Sequence, residues 1–377
     1  MLKKILKSYD YTLIAAVILL SLFGLVMVYS ASMAVAVERN EVASNYFFVR
    51  QGFFLIVGFV LFLIFAIFPY KFYLSNKVLI PLVLISLLSL IGLFEFGVIR
   101  GNARSWYNIG PVNIQPAEFI KIAVIVYLSA VYAKKQRYIN EFNKGVVPPL
   151  VFIILVCFLI ILQPDYGTAG LIILISACII ISSGMNFKNI VKLILLGGAM
   201  AAPLIFFLSD KIFTEKRFER IKVLTDPFAE GVVESSGYQL SNSLIAIGSG
   251  GINGLGLGQS IQKLGYLPEP HTDFIMAIIA EELGIYGVLF VLFCLGYIVI
   301  KGIIIGLRAK DPFGSLLAIG ISSMIGIQTA INLGGISGLI PLTGVPLPFV
   351  SYGGSSLLQL FISTGILLNI SRYATDK

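Results

Sequence analysis

Residues 266–284, YLPEPHTDFIMAIIAEELG, set Asp273 beside Thr272 and the chain's single histidine, His271, and then place two adjacent glutamates, Glu281 and Glu282, in an apolar run. A carboxylate at the mouth of such a run can line a polar cavity; it can also simply cap a helix, as can Thr272. In QPAEFIKI, Glu118 and Lys121 stand three apart and share a helical face. They read as a self-neutralising pair or as a polar site with a cation available to an anion. GNARSWYNIG supplies Arg104 and the only tryptophan, Trp106, while QPDYGTAG supplies Asp165 in a short turn suited to capping. PLTGVPLPFVSYGGSS, with Ser351, mixes prolines, glycines and hydroxyls as irregular backbone beside a cavity does.

The elements that position these residues follow from composition. The 377 residues are 58% hydrophobic and 12% charged, with a mean hydropathy of +0.95, which excludes a soluble globular domain. Apolar runs long enough to cross about 30 Å of hydrocarbon recur along the chain. Ten spans are expected, at about 12–31, 47–68, 74–96, 117–133, 146–163, 167–185, 189–208, 272–300, 314–337 and 350–370. The first exceeds a signal-peptide core and reads as a retained helix. The fold class is thus all-α and polytopic, one integral-membrane domain over residues 1–377 with a long extracytoplasmic loop at 209–271.

Charge sets the orientation. With both termini cytoplasmic, sixteen basic residues fall inside and three, Arg39, Arg100 and Arg104, in short outer loops. The net charge of +8 therefore marks cytoplasmic loops and not nucleic-acid binding. Within the long loop, TEKRFERIKVLTDPF has the look of a basic helix lying on the membrane or in solvent. GSGGINGLGLGQSIQK lacks the ending of a phosphate-binding loop, so its glycines serve tight turns and close backbone approach. Cys157, Cys178 and Cys294 lie in apolar runs with no disulfide or zinc spacing.

On the expected helix, Asp273, Ala277, Ala280, Glu281 and Gly284 form one face, with Glu281 about 12 Å deeper than Asp273. Taken together and in order, YLPEPHTDFIMAIIAEELG, QPAEFIK, ARSW, QPDYGTA and PFVSYGGSS resemble the SEDS family of membrane glycosyltransferases, nearer its cell-division branch than its elongation or sporulation branches. The resemblance implies polymerisation of lipid II on the outer face of the cell membrane during septal wall synthesis, on an undecaprenyl-diphosphate-linked glycan. It implies Asp273 as the essential acid, with Lys121, Glu118, Arg104 and Trp106 in support, and His271, Thr272, Glu281 and Ser351 around them. Glu281 and Glu282 keep a buried structural pairing as an equal alternative. No cofactor is required by the sequence; a divalent cation, magnesium or manganese, bound with substrate diphosphate is compatible with it. The implied partners are a class B penicillin-binding protein supplying transpeptidation and other division proteins. The rival from another class is a flippase moving the same lipid through the charged spans.

The expected topology is checked by cysteine labelling. In intact cells, cysteines placed in 209–271 should react with an impermeant reagent and those in 134–144 should not; the reverse pattern would invert the orientation.

Overall fold

The computed structural model describes residues 9–100, 103–110, 112–141, 147–207, 223–229 and 237–374. Its helices are α1 (Tyr11–Glu38), α2 (Tyr46–Ile67), α3 (Asn76–Phe96), α4 (Pro116–Lys134), α5 (Val147–Leu162), α6 (Tyr166–Ser182), α7 (Phe187–Phe207), α8 (Tyr238–Gly250), α9 (Ile275–Arg308), α10 (Pro312–Ile336) and α11 (Gly354–Ala374). Each of the ten expected spans is matched by a helix, with α1 and α9 running seven and eight residues further at their C-terminal ends, so this is a multi-pass membrane protein. Polar residues fix the helix starts, as where Asp10 accepts from Leu13 N at 3.3 Å and Asp311 from Gly314 N at 2.9 Å. Most of TEKRFERIKVLTDPF lies outside the described residues.

Two features go beyond the expected all-helical plan. The stretch read as an outer loop around Trp106 forms a small antiparallel sheet, β1 (Val98–Arg100), β2 (Ala103–Ile109) and β3 (Val112–Ile114), in that order. The long loop carries α8, which packs on α9. The bundle has inner and outer helices: 78% of the apolar window of α4 and 83% of that of α11 is buried, against 22% for α3 and 28% for α2. α10 packs against α4, α6, α9 and α11, and α11 packs along α2.

α9 is two helices joined at Gly284, whose φ of 62° and ψ of −154° interrupt the ladder. The glycine-rich segment before it repairs the break. Ile285 N donates to Ile252 O at 3.2 Å, while the freed carbonyls of Glu281 and Glu282 accept from Leu255 N and Gly256 N at 2.9 Å each. That approach leaves no room for side chains, since a Cβ on Gly254 would stand 2.2 Å from the Glu282 carbonyl oxygen.

The two buried glutamates fasten the same segment. Glu281 accepts from the Ser260 hydroxyl and from Ile261 N at 3.0 Å. Glu282 is bound by Lys263 Nζ at 2.7 Å, with Ser30 Oγ of α1 at 2.7 Å from both carboxylate oxygens and 3.0 Å from the lysine. Removing one member of such a pair strands a buried charge. Lys263→Met should therefore cost about 3–5 kcal/mol of stability. The double change Lys263→Met/Glu282→Gln should recover most of it, read as melting temperature in detergent. Equal melting of wild type and Lys263→Met would remove this clamp from the account.

Candidate active site

The capping alternative for Asp273 is settled by geometry. α9 begins at Ile275 with Phe274 as its N-cap residue and no side-chain cap, so neither Thr272 nor Asp273 caps it. Asp273 lies in the preceding turn. The expected single face from Asp273 to Gly284 is corrected accordingly: the helical register starts after Asp273, and Glu281 turns into the glycine-rich segment, away from a shared face.

What holds Asp273 is its main chain. Three successive carbonyls of the loop are each engaged: His271 O accepts from Tyr352 N at 2.8 Å, Thr272 O from Ser351 Oγ at 2.6 Å, and Asp273 O from Asn332 Nδ2 at 2.9 Å. Its half-buried carboxylate, by contrast, receives no hydrogen bond from any described residue. Burial, and then the negative charge of Glu269, push its pKa up to about 6. Gly344, in the left-handed region at φ 71°, passes so close that a Cβ there would meet Asp273 Oδ2 at 3.6 Å.

The surrounding residues have defined tasks. Thr272 Oγ1 donates back to Glu269, 3.2 Å from Oε2. Arg39, at the end of α1, donates to Pro268 O at 2.9 Å and Gly265 O at 3.0 Å and so ties down the loop. His271 is buried between Phe47, 4.4 Å away by ring centroid, and Tyr352 at 5.5 Å; burial lowers its pKa to about 4, so the ring is neutral at ordinary pH. Ser351 Oγ also accepts from Leu347 N at 2.8 Å.

The second charged centre sits at the start of α4. Pro116 occupies its first turn, and Glu118 and Lys121 meet in a buried ion pair of 2.9 Å. Lys121 Nζ also donates to Gln328 Oε1 of α10 at 3.2 Å. Asp165 caps α6, accepting from Thr168 N at 3.2 Å, and its other oxygen accepts from Gln115 Nε2 at 3.2 Å. Arg104 is placed on β2, exposed, and donates to Phe94 O at 2.7 Å, where it satisfies a terminal carbonyl of α3. Trp106, on the same strand, is half-buried and pairs across to Val98. Thus the structure brings Glu118, Lys121 and Gln328 together, and Asp273 with Thr272, Ser351 and Asn332, while Arg104's bond runs to α3.

Sequence reasoning missed Gln328 and Asn332. The signal available was two amides four residues apart within an apolar span, where polar groups must find partners. Among the described residues no three His, Cys, Asp or Glu side chains gather as a metal site would require.

Comparison with known proteins follows the same line. The model of the cell cycle protein family that takes in FtsW, RodA and SpoVE matches residues 10–376. The probable peptidoglycan glycosyltransferase FtsW of Bacillus subtilis is 59% identical over all of this chain and 94% of its own length. The stage V sporulation protein E of the same organism is 39% identical over 97% of this chain and 98% of its own. Among solved structures, a chain of a peptidoglycan synthase complex matches with a TM-score of 0.76 at 23% identity, covering 98% of this chain and 99% of that one. The rod shape determining protein RodA of Thermus thermophilus matches at 0.69 and 24% identity, over 98% of each. These two carry the fold.

Lys121→Ala leaves Glu118 buried and unpaired and should lower stability by several kcal/mol. Glu118→Gln/Lys121→Met should restore the melting temperature. If that double variant also regains full activity, the pair is structural; persistent loss assigns Lys121 to the site.

Proposed function

The chain belongs to the cell cycle protein family of FtsW, RodA and SpoVE, and from that membership we propose how it works as a peptidoglycan glycosyltransferase, with Asp273 as its general base. The substrate is lipid II, and the product is a glycan strand extended on the outer face of the cell membrane. In the bond-forming step, the acceptor sugar's 4-hydroxyl oxygen attacks the anomeric carbon of the undecaprenyl-diphosphate-linked chain. The hydroxyl proton passes to an Asp273 carboxylate oxygen, and the lipid diphosphate leaves with the electrons of the broken bond. Lys121 is the buried cation available to the diphosphate, with Arg104 as a second from β2. A magnesium or manganese ion would be held mainly by the phosphates, and no step here depends on one.

The observation that supports this reading is the contrast at Asp273: carbonyls 271–273 are pinned by three donors, yet the carboxylate receives no hydrogen bond among the described residues. A cap or a packing acid would have its oxygens occupied. A base needs them free, on a rigid mount, with a pKa near the operating pH. The class B penicillin-binding protein supplies transpeptidation, and the division septum is the expected location, with both termini cytoplasmic.

The test is lipid II polymerisation in detergent with the partner present. Asp273→Asn keeps the size and removes the basic oxygen, so turnover should fall about 10²- to 10⁴-fold with substrate binding better preserved. Below its pKa the acid is protonated and cannot accept, so wild-type kcat/KM should rise with pH through about 6. Glu269→Gln removes the charge that helps raise that pKa and should move the acidic limb to lower pH. Equal polymer yield from wild type and Asp273→Asn would overturn the base assignment; polymer from neither would point instead to lipid transport.

A further inference from the structure

α10 reaches both charged centres from one face. Gln328 and Asn332 are four residues apart, so their side chains stack on the same side, separated by about 6 Å of helix rise. Gln328 Oε1 accepts from Lys121 Nζ at 3.2 Å, and Asn332 Nδ2 donates to Asp273 O at 2.9 Å. Both amides also hold one irregular strand: Gln328 Nε2 donates to Pro346 O at 3.0 Å, and Asn332 Nδ2 to Val345 O at 2.9 Å. That strand carries Gly344 against Asp273 Oδ2. Both side chains are buried, Gln328 fully and Asn332 to 4% exposure.

We propose that Asn332 is a positioning residue for Asp273, and that with Gln328 it forms a brace on α10 fixing the acid relative to Lys121. The inference rests on the reading of Asp273 as the base. Two features support it beyond proximity. Asn332 Nδ2 bridges two carbonyls on separate segments, so it sets the spacing between the Asp273 turn and the 345–346 strand. The bond is made to the main chain of Asp273, so it fixes the residue while leaving the carboxylate free.

Asn332→Leu keeps the volume and deletes both donors. Polymerisation of lipid II with the partner should lose about 10²-fold in kcat, as for a base displaced by about 1 Å, with KM changed less than about threefold. Asn332→Ser, a milder change that keeps one hydroxyl donor, should fall between wild type and Asn332→Leu and serves if Asn332→Leu does not fold. The discriminating measurement is a double-mutant cycle at a temperature where all variants are folded. If Asn332 acts through Asp273, adding Asn332→Leu to Asp273→Asn should leave the residual rate unchanged. Gln328→Met, one turn away and touching Lys121 instead, should lower that residual rate further. Full kcat in Asn332→Leu, or independent losses in the cycle, would overturn the proposal while Asp273→Asn keeps only its low residual rate and the base reading stands. Full activity of Asp273→Asn would overturn the base reading itself.

Discussion

Buried main-chain polar groups must be satisfied by the protein, and irregular backbone survives only where other groups complete it. That constraint governs this molecule, because two irregular segments, 251–274 and 337–353, meet beside Asp273. Each is completed by a different device. The first exchanges main-chain hydrogen bonds with the broken helix at Gly284 and is fastened by Glu281 and Glu282. The second is held by side-chain amides and hydroxyls: Gln51, Gln328, Asn332 and Ser351. Arg39 ties the first segment to the end of α1, and Gly24 lets the second lie against α1, since a Cβ there would stand 2.6 Å from Phe349 O.

Carboxylates therefore have opposite fates within ten positions. Glu281 and Glu282 are given donors: a hydroxyl, backbone amides, a lysine. Asp273 receives none from the described residues, and burial, then the nearby carboxylate of Glu269, raises its pKa. The supply of donors thus separates a clamped carboxylate from the one proposed as the base.

The spans were legible in the sequence because hydrocarbon thickness imposes length and hydropathy directly, and every expected span has its helix. The role of the glycines was legible too, because phosphate binding needs an ending this stretch lacks. Three things were hidden. The small sheet around Trp106 reads as loop because its strands are only three to seven residues long. The task of Glu282 depends on Lys263 and Ser30, nineteen and 252 residues away, and that of Glu281 on Ser260, 21 residues away, which no local spacing reveals. Gln328 and Asn332 carry no charge, so a search for costly ions in apolar spans passes over them.

That last omission has a physical cause with wider reach. Charge attracts notice because its burial is expensive, but a charged residue is a poor support for another charge it must not perturb. A neutral amide can hold a carbonyl through one nitrogen without altering the local field by a full unit. An acid meant to stay reactive is therefore best mounted by its main chain on neutral donors, which is how residues 271–273 are held here. It follows that the supporting residues of such a site lie among the uncharged polar side chains of the innermost helices. α10, packed against α4, α6, α9 and α11, is the helix placed to provide them.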